Sequence, residues 1–170
     1  MLPAICASFS TVNVTEQHGE LIGDISISGS SLIADRSAMV LSGAVIPNII
    51  DEIPILAVVG TQVEGRVEVR DAKELRIKES DRIRTVVEGI RAIGGEIEEL
   101  EDGFAISGPQ RLRGGRVETA GDHRIAMAFA VAGLMAEGTT EIVDPDCAAV
   151  SFPEFYETLA RLSGGDTVLE

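Results

Sequence analysis

Hydrophobic positions along this chain follow two rhythms. In the first, apolar residues recur at every second position over short runs. Such runs occur at Ser10 to Thr15, Asp24 to Ser28 (DISIS) and Arg66 to Arg70 (RVEVR), and Arg116 to Thr119 and Glu141 to Val143 read as further short strands. This alternation predicts strands with one face buried, and on it Val12 and Val14 share a face. Glu96 to Glu99 and Phe104 to Ser107 flank Glu101-Asp102-Gly103 and read as the two arms of a hairpin. Leu32-Ile33 and Thr167 to Leu169 read as strand starts. In the second rhythm, Ile83, Val86, Val87, Ile90 and Ile93 recur at three- and four-residue intervals and mark one face of a helix. Two other helical stretches are apolar on nearly all sides: Ile55 to Val59 behind Pro54, and Ile125 to Ala136. SFPEFYETLARL predicts a last, amphipathic helix beginning near Pro153.

Sets of short strands followed by a helix thus recur about three times, without a fixed-period repeat. The helices are more apolar than the strands. That ordering predicts an α/β (α+β) fold with helices buried inside and sheets outside.

Polar residues gather where the helices begin. Ser80 or Asp81 suits the cap of the Ile83 to Ile93 helix, and Gly94-Gly95 its stop. Asp122 suits the cap of the helix after it. Three starts carry charge beside an apolar run: Asp51-Glu52, Lys78 to Arg82, and Asp122-His123-Arg124. Helices packed side by side with these starts at one end would bring the charges together at aligned positive dipole ends. Arg82 and Arg124 would then form an anion site, with Asp51 and Glu79 as general base and acid and His123 as a proton handle or donor. Plainer readings stand beside these. KESDR also describes a capped surface helix with paired charges, Asp51 reads equally as a cap of the Pro54 helix, Asp122 reads as a cap, and His123 as a structural hydrogen-bonder.

Composition narrows the choice. A chain of 170 residues suits one sizeable domain. Its formal charge of −14 argues against a nucleic-acid partner, while a local cationic cluster still admits small anions. No apolar run approaches the ~20 residues that span a bilayer, and the opening MLPAICASFSTV lacks a basic leader region. Cys6 and Cys147 are neither metal-spaced nor a disulfide framework, as expected of a reduced cytoplasmic protein. Walker, GxGxxG, HExxH and GxSxG motifs are absent, so nucleotide, nicotinamide and zinc chemistry find no support.

Four segments in register, IDEIPILAV, ELRIKESDRI, DHRIAMAFAVAGL and DPDCAAVSFPEFYETLARL, resemble the C-terminal half of the 5-enolpyruvylshikimate-3-phosphate synthase family (3-phosphoshikimate 1-carboxyvinyltransferase). The resemblance runs from about Glu20 to Leu162 and favours the shikimate branch over the sister enzymes acting on UDP-N-acetylglucosamine. It implies two domains of βαβαββ units around buried parallel helices, with the site in the cleft between them. It implies transfer of the enolpyruvyl group of phosphoenolpyruvate to the 5-hydroxyl of shikimate 3-phosphate, without metal or organic cofactor, and glyphosate as a competitor. Position by position, Asp51 matches the base that binds the shikimate hydroxyls, Lys78 a further shikimate 3-phosphate contact, and Glu79 the proton donor to the phosphoenolpyruvate methylene. Arg82 and Arg124 match the pair that holds phosphoenolpyruvate, and His123 orients the site. One departure is Val150, where some members carry a lysine before the (T/S)FP segment. The other is length. Residues 1–19 read as a clipped or poorly placed leader and 20–170 as an incomplete C-terminal domain. The partner it implies is an N-terminal domain, and the chain alone is expected to be inactive. The alternatives are an isolated anion-binding domain or a truncated, inactive fragment.

Overall fold

The computed structural model describes residues 7–29 and 39–164. Leu32-Ile33, Thr167 to Leu169 and Cys6 lie outside them. In chain order the elements are β1 (Ala7–Gln17), β2 (Glu20–Gly29), β3 (Met39–Leu41), α1 (Ile46–Ile49), α2 (Ile53–Gly60), β4 (Gly65–Val69) and α3 (Arg82–Ala92). There follow β5 (Glu98–Leu100), β6 (Gly103–Gly108), β7 (Arg116–Glu118), α4 (His123–Gly133), β8 (Glu141–Val143) and α5 (Phe155–Leu162).

From β3 to β6 the order is strand, helix, strand, helix, strand, strand, with the short α1 leading into α2. Its four strands form one sheet in the order β3-β4-β6-β5. β3 and β4 are parallel, while β6 runs antiparallel to both β4 and β5. This is one whole βαβαββ unit, as the resemblance implies. On its C-terminal side β7 and β8 pair in parallel around α4. On its N-terminal side β1 and β2 form an antiparallel hairpin. The boundary between residues 19 and 20 falls in the turn of that hairpin.

The helices lie inside. α2, α3 and α4 touch one another pairwise; α2 packs on β4 and β6, α3 on β5, β6 and β7, and α4 on β8. Ile53, Val69, Leu75, Ile83, Ile90, Ile93, Phe104, Ile106, Ile125 and Phe129 are fully buried in this core. Such burial is the dominant favourable term in folding. Gly43 to Gly60 is an 18-residue stretch of mean hydropathy 1.6, half of it buried. A turn, α1 and a second turn precede α2 within it, and Ile46, Ile49, Ile50, Ile53 and Leu56 join the core.

The predicted signals at α3 are realised. The Asp81 carboxylate accepts the Arg84 N–H at 3.0 Å, and Arg84 and Glu88 pair on the solvent face at 2.7 Å. At the far end Gly94 takes a φ of +77°, and Gly94 and Gly95 donate back to Arg91 and Ile90. α3 and α4 approach closely at Gly89, where a Cβ would lie 2.3 Å from the Phe129 ring. The β5–β6 hairpin closes Leu100 against Gly103.

Three expectations change. Val12 and Val14 do not share a face: the register passes from Val12 opposite Asp24 to Thr15 opposite Ile22, so one extra residue sits in β1. Asn13, at φ +54°, makes that bulge, and its side chain donates to Asp24 at 2.7 Å. Val14 is thereby turned beside Gly23, onto the side that carries Ile25 and Ile27. Helix α4 ends at Gly133 and not Ala136, because Leu134, Met135 and Ala136 donate to carbonyls three residues back. It is also not buried all round, since Met127, Ala130 and Val131 are only half-buried. The last helix starts at Phe155 and has no fully buried residue. Its apolar side holds together through edge-on rings, Phe152 on Phe155 at 5.8 Å and Phe155 on Tyr156 at 5.1 Å.

Candidate active site

The three charged helix starts do meet. Asp51 lies in the turn Ile50–Glu52 that leads into α2. Lys78 to Ser80 occupy the loop before α3, and Asp122 caps α4, its carboxylate accepting the Arg124 N–H at 2.9 Å. Arg82, at the first position of α3, is the hub. Its side chain is only 1% exposed. Nε donates to Asp122 at 2.7 Å, Nη1 to Asp51 at 2.7 Å and Nη2 to Glu79 at 2.7 Å. Ser80 adds its hydroxyl to Asp122 at 3.0 Å. A guanidinium carries five N–H donors, so Arg82 is close to saturation here.

Electrostatics follows from this packing. Burial works against the Arg82 charge, but its bonds to Asp122 and Asp51 outweigh burial and raise its pKa. The Arg82 hydrogen bond in turn holds the Asp51 carboxyl below its usual range, helped by the positive charges of Arg82, Arg124 and Lys78. Asp51 does not cap α2, whose start has no side-chain cap. Its carboxylate lies instead on the Arg82 guanidinium, 2.7 Å from Nη1.

The other residues are arranged more loosely. Arg124 donates from Nη1 to Glu52 at 3.0 Å, with side chains 30% and 55% exposed. Its Nε is buried without a partner among the described residues. Lys78 is exposed and forms no ion pair among the described residues, while its charge reaches Asp51. His123 is half-buried beside Asp122. Val150 is 79% exposed at the end of the turn Pro145–Val150 and offers no polar contact. Among the described residues no three His, Cys, Asp or Glu are grouped to hold a metal.

Sequence reasoning missed two parts. Asp122 is a cap, but also the buried counter-ion of Arg82, which joins α3 to α4. The available signal was a carboxylate heading one apolar helix and an arginine heading another. Glu52 was read only as part of a charged pair, and the structure sets it on Arg124.

A buried helix cluster, faced by sheets, thus carries cations and carboxylates side by side at its convergent N-termini. The sequence profile of EPSP synthase (3-phosphoshikimate 1-carboxyvinyltransferase) matches residues 9–159, and the chain belongs to that family. It is 47% identical over 162 residues to the 3-phosphoshikimate 1-carboxyvinyltransferase of Koribacter versatilis, an alignment covering 95% of this chain and 37% of that protein. With the protein of the same description from Alkaliphilus oremlandii it shares 51% over 146 residues, covering 86% and 33%. The EPSP synthase of Acinetobacter baumannii superposes with a TM-score of 0.85 at 35% identity, over 95% of this chain and 37% of that one. The chain therefore spans little more than a third of the length of the relatives it matches.

Proposed function

We propose that this chain supplies one wall of a site that transfers the enolpyruvyl group of phosphoenolpyruvate to the 5-hydroxyl of shikimate 3-phosphate. The observation that carries the reading is the convergence of Asp51, Glu79, Arg82 and Asp122 on one point, each bond 2.7 Å long, within a chain of this family. Arg124 and Arg82 hold the phosphoenolpyruvate carboxylate, and Lys78 meets shikimate 3-phosphate. Asp51 accepts the proton of the 5-hydroxyl as its oxygen bonds to C2 of phosphoenolpyruvate, while Glu79 delivers a proton to C3. The tetrahedral intermediate then loses phosphate with cleavage of the bond between C2 and the phosphate oxygen, and a C3 proton returns to the Glu79 carboxylate as the double bond is restored. His123 orients the site.

Asp51 is ionised but weakly basic while Arg82 donates to it. A substrate that draws on Arg82 raises its basicity at the moment a base is needed. No step calls for a metal or an organic cofactor. Glyphosate would compete for the phosphoenolpyruvate position, and the cytoplasm is the compartment this reading assigns.

Catalysis by positioning and electrostatics requires the whole cleft. The test is phosphate release from phosphoenolpyruvate plus shikimate 3-phosphate, with this chain alone and after mixing with the N-terminal part of a relative. Activity is expected only in the mixture, with a loss of at least about a hundredfold on Glu79→Gln. Turnover by the chain alone would contradict the two-wall site. No turnover in the mixture, with both chains folded, would favour an isolated anion-binding domain.

A further inference from the structure

We infer that Glu52 is a built-in stand-in for the substrate's anion, resting on Arg124 until phosphoenolpyruvate displaces it. This rests on the functional reading above. Three carboxylates surround Arg82, and the partner at its Nε, Asp122, is 0% exposed. That pairing is buried and joins the first residue of α3 to the cap of α4, so it cannot yield without disturbing two helix starts. Arg124 is placed otherwise. Its one side-chain partner among the described residues, Glu52, is 55% exposed and takes a single N–H at 3.0 Å. The Arg124 Nε is buried and unpaired among the described residues, an unfavourable state for a donor on a cation. A two-oxygen anion engages adjacent guanidinium N–H groups in parallel and relieves that deficit, which the single Glu52 contact does not.

The charge balance leads to the same place. Lys78, Arg82 and Arg124 face Asp51, Glu52, Glu79 and Asp122, three cations against four carboxylates, in a chain of formal charge −14. With every carboxylate in place such a site repels an incoming anion. Asp51 and Glu79 are held by a buried guanidinium, and Asp122 is itself buried. Glu52 is the one carboxylate of the four bonded to a partly exposed cation, and exposed pairs are the weak ones. Its departure leaves the cluster balanced before the ligand adds its own charge. Glu52 thus lowers affinity for phosphoenolpyruvate, and in exchange keeps Arg124 in place over an otherwise empty site.

The test uses this chain and its Glu52→Gln and Arg124→Lys variants, each titrated with phosphoenolpyruvate while the arginine Nε–H resonances are followed by NMR. Backbone amide spectra confirm the fold of each. Glu52→Gln is expected to bind about two- to fivefold more tightly, the range set by removing one exposed ion pair. The ligand-free Arg124 Nε–H resonance should already be displaced in that variant, and Arg124→Lys should lose the response. Equal or weaker binding by Glu52→Gln, with Arg124 still responding in both chains, overturns the role of Glu52 and leaves the functional reading standing. No response to phosphoenolpyruvate in any variant overturns both together.

Discussion

The Asp122 carboxylate accepts four hydrogen bonds at once: from the Arg82 Nε, at 3.4 Å from the Arg82 Nη2, from the Ser80 hydroxyl and from the Arg124 backbone N–H. Replacing it with asparagine keeps the shape and the cap but leaves the Arg82 charge without its buried counter-ion. Removing one partner from such a pair costs about 3–5 kcal/mol, well above the ~1 kcal/mol of a lost cap. Asp122→Asn is therefore expected to lower the urea midpoint severely, whereas Glu52→Gln should leave it almost unchanged. Tyr156 gives a second test at this scale. Burial pushes its hydroxyl up to about 12, and the hydroxyl is buried without a hydrogen-bond partner among the described residues. The folded state thus favours the neutral phenol. Stability from this group is full below the unfolded value near 10 and is lost as pH rises toward about 12. It is the only tyrosine in the chain, which has no tryptophan, so tyrosinate absorbance reports it alone. Tyr156→Phe should abolish that alkaline loss and, having removed an unsatisfied hydroxyl, be neutral or stabilising by about 1 kcal/mol.

At the scale of elements, the α3–α4 contact decides between two opposing effects. An alanine in place of a helical glycine ordinarily gains about 0.5–1 kcal/mol. At Gly89 the new methyl would lie 2.3 Å from the ring of Phe129, which is fully buried and has nowhere to turn. Overpacking of about 1–3 kcal/mol wins, and Gly89→Ala should lower the melting temperature. Combining it with Phe129→Leu should cost less than the sum of the two single changes, the mark of a direct clash. The sequence could not show this contact, because Gly89 breaks no periodicity and Phe129 is one apolar residue among many. What it did show was whatever depends on neighbours in the chain. The spacing of Ile83 to Ile93, the caps Asp81 and Asp122, the Gly94 stop and the turn at Glu101-Asp102 all rest on local geometry. The β1 bulge did not show, since its cause is a pairing with Asp24 across the hairpin and the run Val12-Asn13-Val14 alternates well by itself. The convergence of the helix starts was legible as a possibility, and IDEIPILAV, KESDR and DHRIAMAF carried its chemistry. Which carboxylate sits on which guanidinium was not, because Arg82 chooses among Asp51, Glu79 and Asp122 only after three helices have packed.

At the scale of the molecule, the site joins parts that are built to different degrees of completeness. In β3 to β6 both helices pack against their own four-stranded sheet, and on their other side they share the core with α4 and β7. The hairpin β1–β2 leaves Phe9, Ile25 and Ile27 at 46%, 64% and 59% exposure, and α5 buries nothing fully. Cooperativity should follow the same division. Amides that open only with global unfolding exchange slowest, and those in elements with few buried contacts exchange through local opening. The slowest hydrogen–deuterium exchange is therefore expected in β4, β6 and the middle of α3, and the fastest in β1, β2 and α5. Uniform protection across all of these would mean that the chain unfolds as one unit. The divided outcome would make the segment from β3 to α4 an independent foldon, able to hold Asp51, Glu79, Arg82 and Asp122 in register while the β1–β2 hairpin and α5 are still open.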